Sequence, residues 1–302
     1  MTVNHLPVML TEVISLLSVK PGKKYIDSTV GGGGHTEAIL KKGGEVLGID
    51  QDPTSLSEAR KRLSTRFGEV AETRRACPGV FRLVRTNFVN LQKIALEEDY
   101  YPVDGILFDL GFASFQMDNP ERGLSLSKDG PLDMRLDPDL GVTAADILNA
   151  LSETQLYNLI KDIGEADNAR SLTRAIVARR RLEPFTHTRE LASLIEHISP
   201  GYRGKIHPAT KVFMALRIVV NSEFENLQTA LPQALDLVKS GGRIVVISFH
   251  SGEDRIVKDT FREWEGLGKV EILTNKPVVP SNLEILNNPR SRSAKLRAVV
   301  KT

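Results

Sequence analysis

The segment Lys24-Tyr25-Ile26-Asp27-Ser28-Thr29-Val30-Gly31-Gly32-Gly33-Gly34-His35-Thr36, continued by Gly48-Ile49-Asp50-Gln51-Asp52-Pro53, sets the fold class. Residues 24–30 read as a strand, the four glycines as a turn and 35–42 as a helix. A second short apolar run, 45–50, is closed by Asp52-Pro53. Glycine admits positive φ and lets a ligand come close to the backbone. Asp50 ends the second strand nineteen residues after Gly31, a spacing at which a carboxylate can grip both hydroxyls of a ribose. A strand, glycine turn, helix, strand and acid in this order open a doubly wound α/β sheet, which binds ligands beyond the carboxyl ends of its strands.

The alternation extends to both sides. A helix is expected at 10–17, a charged amphipathic helix at 54–66, and further strands at 81–86 and 103–110. From 112 to 208 no strand pattern is visible. Asp118-Asn119-Pro120 and Asp129-Gly130-Pro131 mark turns, and helical periodicity follows at 144–150, 153–163, 169–181 and 188–198. The strand pattern then resumes. A long helical region at 210–238, broken near Pro232, is followed by a turn at Gly241-Gly242 and a strand at 243–249. A helix at 253–265 and strands at 269–274 and 294–300 complete seven strands. The expected architecture is an α/β, doubly wound seven-stranded sheet formed by 1–111 and 210–302, with an inserted helical domain at 112–209.

Composition narrows the class. The 302 residues are 41% hydrophobic and 26% charged, as in a soluble globular protein. No apolar run approaches the roughly 18 residues of a membrane span. Residues 1–12 carry no signal-peptide pattern, so a cytosolic location and no membrane partner are expected. Cys77 is the only cysteine, and the six histidines show no ligand-like pairing, so no metal is expected. The net charge of +2 does not mark a nucleic-acid binder. Two acid-free basic stretches do suggest phosphate contact, one carrying Arg170, Arg174, Arg179, Arg180 and Arg181, the other at 288–302.

The nucleotide is chosen by charge. No GxxxxGK[ST] motif is present, and Thr36 stands where a dinucleotide fingerprint has its third glycine. Asp27, Asp50 and Asp109 fall at or near the ends of the first, second and fourth strands. Carboxylates converging there repel a pyrophosphate and favour a cofactor bearing a sulfonium and an ammonium, namely S-adenosylmethionine. A methyltransferase acting on another RNA or on DNA cytosine, a dinucleotide-dependent oxidoreductase and a non-catalytic RNA assembly factor remain the rival readings, and Asp27 and Asp109 as mere turn caps the structural one.

The motifs HLPVMLTEV, DSTVGGGGHT, GIDQDP, DGILFDLG, ERG, DGPLDMRLDP, HPATK, ALRIVVNSE, GGRIVVISFHS, EDRIVK and NPRSRSAKLR span almost the whole chain. In them the chain resembles the RsmH (MraW) family of bacterial 16S rRNA cytosine-N4 methyltransferases. The resemblance implies a Rossmann-like class I methyltransferase fold and S-adenosylmethionine as cofactor. The implied partner is 16S rRNA of the small ribosomal subunit, methylated at a cytidine N4 in the decoding centre. It also implies that Gly33, Gly34 and His35 hold the amino-acid end of the cofactor and that Asp50 holds its ribose. Phe88 then flanks the adenine, Asp109 and Gln116 make the remaining contacts, and the helical insert recognises substrate. The chain departs from the family pattern at Phe112, Ala113, Lys211, Met214 and Gly252.

Methylating cytosine N4 calls for an acceptor of its N–H protons, because the amine lone pair is delocalised into the ring. Asp109 is the candidate acceptor, with His250 after the fifth strand as a second catalytic candidate. Phe112, three places after the acid, stacks on the base or packs as core. His5 is either a pocket closure or a solvated residue. Arg135, Lys205, His207 and Lys211 are the candidate RNA contacts, unless the insert's acids Asp133, Asp137 and Asp139 neutralise them. Oligomeric state is left open, a dimer included.

Overall fold

Side chains alternate between the two faces of a strand, and here both faces are apolar. Tyr25, Val46, Leu107, Val245, Ile247 and Leu296 join one core, and Ile26, Leu47, Phe108, Ile244, Val246 and Val299 join the other. A strand buried on both faces belongs to the middle layer of an α/β sandwich. The computed structural model describes residues 6–68, 81–199 and 207–302, so His5, Cys77 and Lys205 lie outside the described residues.

Seven strands are present: β1 (Lys24–Asp27), β2 (Glu45–Asp50), β3 (Phe81–Arg85), β4 (Val103–Asp109), β5 (Val238–Ser248), β6 (Val270–Ile272) and β7 (Lys295–Lys301). They form one sheet in the order β3-β2-β1-β4-β5-β7-β6. The pairs from β3 to β5 are parallel, and β7 runs antiparallel to both β5 and β6. The expected doubly wound sheet is therefore present, with its direction of winding reversing between β1 and β4. Helices α1 (Leu10–Leu17) and α2 (Gly34–Lys41) pack on the face carrying Tyr25. After α3 (Pro53–Phe67), the helix α4 (Leu91–Glu97) makes the β3–β4 crossover.

The helical unit holds α5 (Ser114–Asp118), α6 (Ala144–Ala150), α7 (Glu153–Asn158), α8 (Ala169–Arg180), α9 (Thr188–Ile198) and α10 (Thr210–Val220). The helix α11 (Glu223–Leu237) returns the chain to the sheet, followed by α12 (Ser251–Gly266) and α13 (Asn282–Asn287). Leu231 and Trp264 place α11 and α12 on the face carrying Ile26.

Three sequence expectations differ from the structure. The units divide as 1–113 with 224–302, and 114–223, rather than at 111 and 209. The later second boundary arises because Val212, Phe213, Ala215 and Leu216 of α10 are buried with Leu172, Ile176 and Leu191 of the insert. The break expected near Pro232 falls instead between α10 and α11, where Ser222 has φ 49° and Pro232 stays inside the helix. The Gln233 side-chain amide donates to the Thr229 carbonyl, one of the acceptors beside the proline ring. The glycine pair expected as a turn lies within β5, where Gly241 (φ 76°) is taken up by a register shift against β4 between Val103 and Gly105.

The insert's motifs lock one loop to α10. The amide of Met134, itself at φ 65°, donates to the Arg122 carbonyl at 3.0 Å. The Asn221 side chain accepts from Leu136 N (2.8 Å) and donates to the Met134 carbonyl (2.9 Å). ERG, DGPLDMR and NSE, far apart in sequence, are thus one hydrogen-bonded assembly.

Candidate active site

The winding reversal splays the connections at the carboxyl ends of β1 and β4 and leaves a crevice there. The chain lines it with acids. Asp27 ends β1, is 1% exposed, and accepts from Thr36 Oγ1 at 2.6 Å and from the Thr29 amide at 3.3 Å. Asp50 ends β2, and each of its oxygens takes one backbone donor, Asp52 N at 2.9 Å and Gly31 N at 2.8 Å. A carboxylate has about four lone-pair sites, so each oxygen keeps capacity for one further donor, such as a hydroxyl of a vicinal diol. Asp109 ends β4, where its amide donates to Thr29 Oγ1 at 2.6 Å. In the sequence, Thr36 stands out only as a missing glycine, and Thr29 does not stand out at all. Their hydroxyls in fact orient two of the three acids. Thr36 stands nine residues after Asp27 and Thr29 eighty before Asp109, spacings that carry no local signal of such contact.

Burial raises all three carboxyls. Asp27 is pushed above the ordinary range, Asp50 to about 7 and Asp109 to about 6. Desolvation is the largest cause for each, and the charge of Asp27 adds to the rise at both Asp50 and Asp109. His35 pulls Asp27 and Asp109 back down. Crowded, desolvated carboxylates favour a cation and oppose an anion. Since the folded pKa values exceed those of an unfolded chain, the free protein binds protons on folding, and this contribution is lost as pH rises through about 6 to 7. The melting midpoint of the ligand-free protein is therefore expected to fall from pH 5.5 to pH 8, by less in Asp50→Asn; a flat profile in the parent would contradict the crowding.

The glycine turn is shaped by packing as well as by φ. Gly33 has φ 77°, and a Cβ there would meet Ala59 Cα of α3 at 3.2 Å. Gly34 is similarly confined, since a Cβ on it would lie 3.0 Å from Pro7 Cβ. His35 was expected, with these glycines, at the amino-acid end of a cofactor. Its ring donates from Nε2 to the Val8 carbonyl at 2.9 Å, with Nδ1 3.5 Å from Asp109 Oδ2. The ring therefore ties down the segment before α1, and it stands beside Asp109 as an ion-pair partner only when protonated. Phe88, on the short turn after β3, packs edge-on against Phe108 with centroids 5.8 Å apart, half-buried near the end of β2. Phe112 is half-buried.

His250 is the N-cap of α12. Its Nδ1 accepts from Gly252 N at 3.1 Å, while Glu253 Oε2 accepts from the amides of His250 and Phe249. The Nδ1 lone pair is spent on this cap, so the ring is positioned as a structural element rather than as a free base. Phe224 stacks on it with centroids 5.8 Å apart. This explains Gly252: a Cβ there would lie 2.4 Å from Phe224 Cζ. His250→Ala is expected to lower the unfolding free energy by about 1 kcal/mol, and His250→Asn to restore it, since Asn is a favoured cap. Urea denaturation reads both; an alanine variant as stable as the parent removes the cap.

Of the candidate RNA contacts, Arg135, His207 and Lys211 lie in the helical unit, where each has a partner within the unit. Arg135 is committed to its own loop, through Nε and Nη2 to Asp133 (2.8 and 2.7 Å) and Nη1 to the Pro138 carbonyl. His207 pairs with Glu196 at 2.6 Å and accepts from Ala209 N, and Lys211 donates to the Glu165 carbonyl at 2.6 Å. Lys205 falls outside the described residues. Gln116 is buried on α5.

The MraW methylase family matches residues 2–302. A protein of Syntrophobacter fumaroxidans named ribosomal RNA small subunit methyltransferase H is 45% identical over 98% of this chain and 96% of its own length. One of the same name from Carboxydothermus hydrogenoformans is 45% identical over 100% and 99%, and one from Coprothermobacter proteolyticus is 44% identical over 99% and 96%. Matched from end to end, and with acids on the three strand ends where a cationic methyl donor is expected, the chain belongs to the MraW methylase family.

Proposed function

We propose that the chain transfers a methyl group from S-adenosylmethionine to the N4 amine of a cytidine in 16S rRNA, in the cytoplasm. The observation that carries this reading is the trio of carboxyls, one buried and two half-buried, at the ends of β1, β2 and β4. The small-subunit rRNA methyltransferase relatives support the substrate. Among the described residues no helix is long and apolar enough to cross a membrane.

The donor set fits the cofactor. Asp50 retains one acceptor site per oxygen for a ribose diol, Phe88 offers a ring to the adenine, and Gly33 and Gly34 follow the same turn towards the amino-acid end. Asp27 and Asp109 supply negative charge. When bound, S-adenosylmethionine supplies an electrophilic methyl group on a cationic sulfur. Asp109 accepts a hydrogen bond from the cytosine N4–H and then its proton, which localises the nitrogen lone pair. A carboxyl pushed to about 6 is a better base than an ordinary aspartate yet is still ionised above neutral pH. Thr29 holds its backbone, and the His35 ring lies 3.5 Å from its Oδ2.

The test uses cofactor labelled in the methyl group, with immature and mature small subunits as acceptors, followed by mass spectrometry of the nucleosides. Labelled N4-methylcytidine is expected. Label in another nucleoside, or none, overturns the assignment.

A further inference from the structure

The acid-free stretch of arginines is not one patch. Arg179 pairs with Glu183 at 3.0 Å and lies over the Phe185 ring, 5.4 Å from its centroid. Arg180 donates to the carbonyls of Leu148 and Leu151, closing the end of α6. These two hold the insert together. Arg170 and Arg174 differ: both are exposed, and among the described residues neither forms a salt bridge. Four residues apart on α8, they share one face of that helix.

That face borders a groove of about 480 Å³ between α7 and α8, lined by Glu153, Thr154, Tyr157, Arg170, Thr173 and Arg174. Arg170 lies over the Tyr157 ring, 6.0 Å from its centroid. Thr173 forms the floor: it is 1% exposed, and its hydroxyl has no hydrogen-bond partner. A buried, unpaired hydroxyl is costly, and valine would fill the same shape without that cost. Threonine in a helix has two populated χ1 wells, so this hydroxyl can turn between interior and groove.

We propose that this groove binds the backbone of single-stranded RNA, with Arg170 and Arg174 on consecutive phosphates and an unpaired base stacked against Tyr157. Arginine is suited to both parts, as a planar bidentate donor to phosphate and as a partner for an aromatic face. Bases of single-stranded RNA stack on such rings without regard to sequence. Glu153, at the rim, opposes the phosphates and leaves the groove a net positive charge of one. The inference rests on the rRNA reading above and adds to it a binding site on the insert.

The full-length chain is titrated with a fluorescent single-stranded RNA oligonucleotide over about 50 to 200 mM salt. Arg170→Ala with Arg174→Ala is expected to weaken binding about tenfold or more. It should also flatten the log–log salt slope by about 1.4, that is, by about 0.7 for each phosphate no longer neutralised. Arg170→Lys with Arg174→Lys keeps the helix and the slope but loses part of the affinity, which covers the case of an ill-folded alanine variant. Thr173→Val weakens binding about threefold, as expected for one neutral hydrogen bond, without changing the slope. Cofactor affinity, read by calorimetry, is unchanged in all three. Unaltered RNA affinity and slope in the arginine variants overturn the proposal, as does equal competition by polyglutamate. A parent protein that binds no RNA sinks the rRNA reading itself. A parent that methylates rRNA, beside unaffected variants, sinks only the groove.

Discussion

Asp109→Asn is expected to lower the rate of methyl transfer about 10²- to 10⁴-fold, the range of a positioned proton acceptor. The substitution keeps the side-chain volume and an oxygen able to accept from Gly111 N, which approaches Oδ1 at 3.4 Å in the parent. It also leaves the backbone bond to Thr29 untouched. What it removes is the negative charge and the capacity to take a proton. The pH profile separates this role from a packing role. Acceptor function needs the ionised form, so the parent rate rises with pH through about 6, and that limb disappears in the asparagine variant. Single-turnover measurements with saturating cofactor and rRNA read the chemical step. A variant that keeps the parent rate, or the same limb, returns Asp109 to a structural part.

Asp50→Ala is expected to weaken cofactor binding about 100-fold or more. Hydrogen bonds to a charged group contribute about 1.5–3 kcal/mol each, and two to the diol are removed. The Gly31 and Asp52 amides also lose their acceptor, which loosens the turn. Calorimetry with S-adenosylmethionine and with S-adenosylhomocysteine resolves the cause. Both carry the ribose, whereas only the former carries the sulfonium. A loss shared equally by the two assigns Asp50 to the ribose; a loss confined to the cationic form assigns it to charge. Undiminished affinity for both removes Asp50 from the site.

Much of this was legible locally. Short, nearly continuous apolar runs marked the strands, because a strand buried on both faces carries hydrophobic side chains at successive positions. The glycine turn and the acids at 27, 50 and 109 were equally visible, because glycine and strand-terminal acids act through their own backbone positions. Short elements such as α4, which has no side-chain cap at its start, escaped notice.

The partners of each side chain were another matter. That Asp27 and Asp109 are neighbours follows from β1 pairing with β4 across about 80 residues of chain. His35 reaching Asp109 and His250 stacking under Phe224 depend on such distant pairings. So does the separation of Arg179 and Arg180 from Arg170 and Arg174, identical residues on one helix with opposite fates. Residue type and spacing announce what a side chain can do. Which donor or acceptor it meets is set by the packing of segments remote in sequence, and hydrogen bonds act over only about 3 Å.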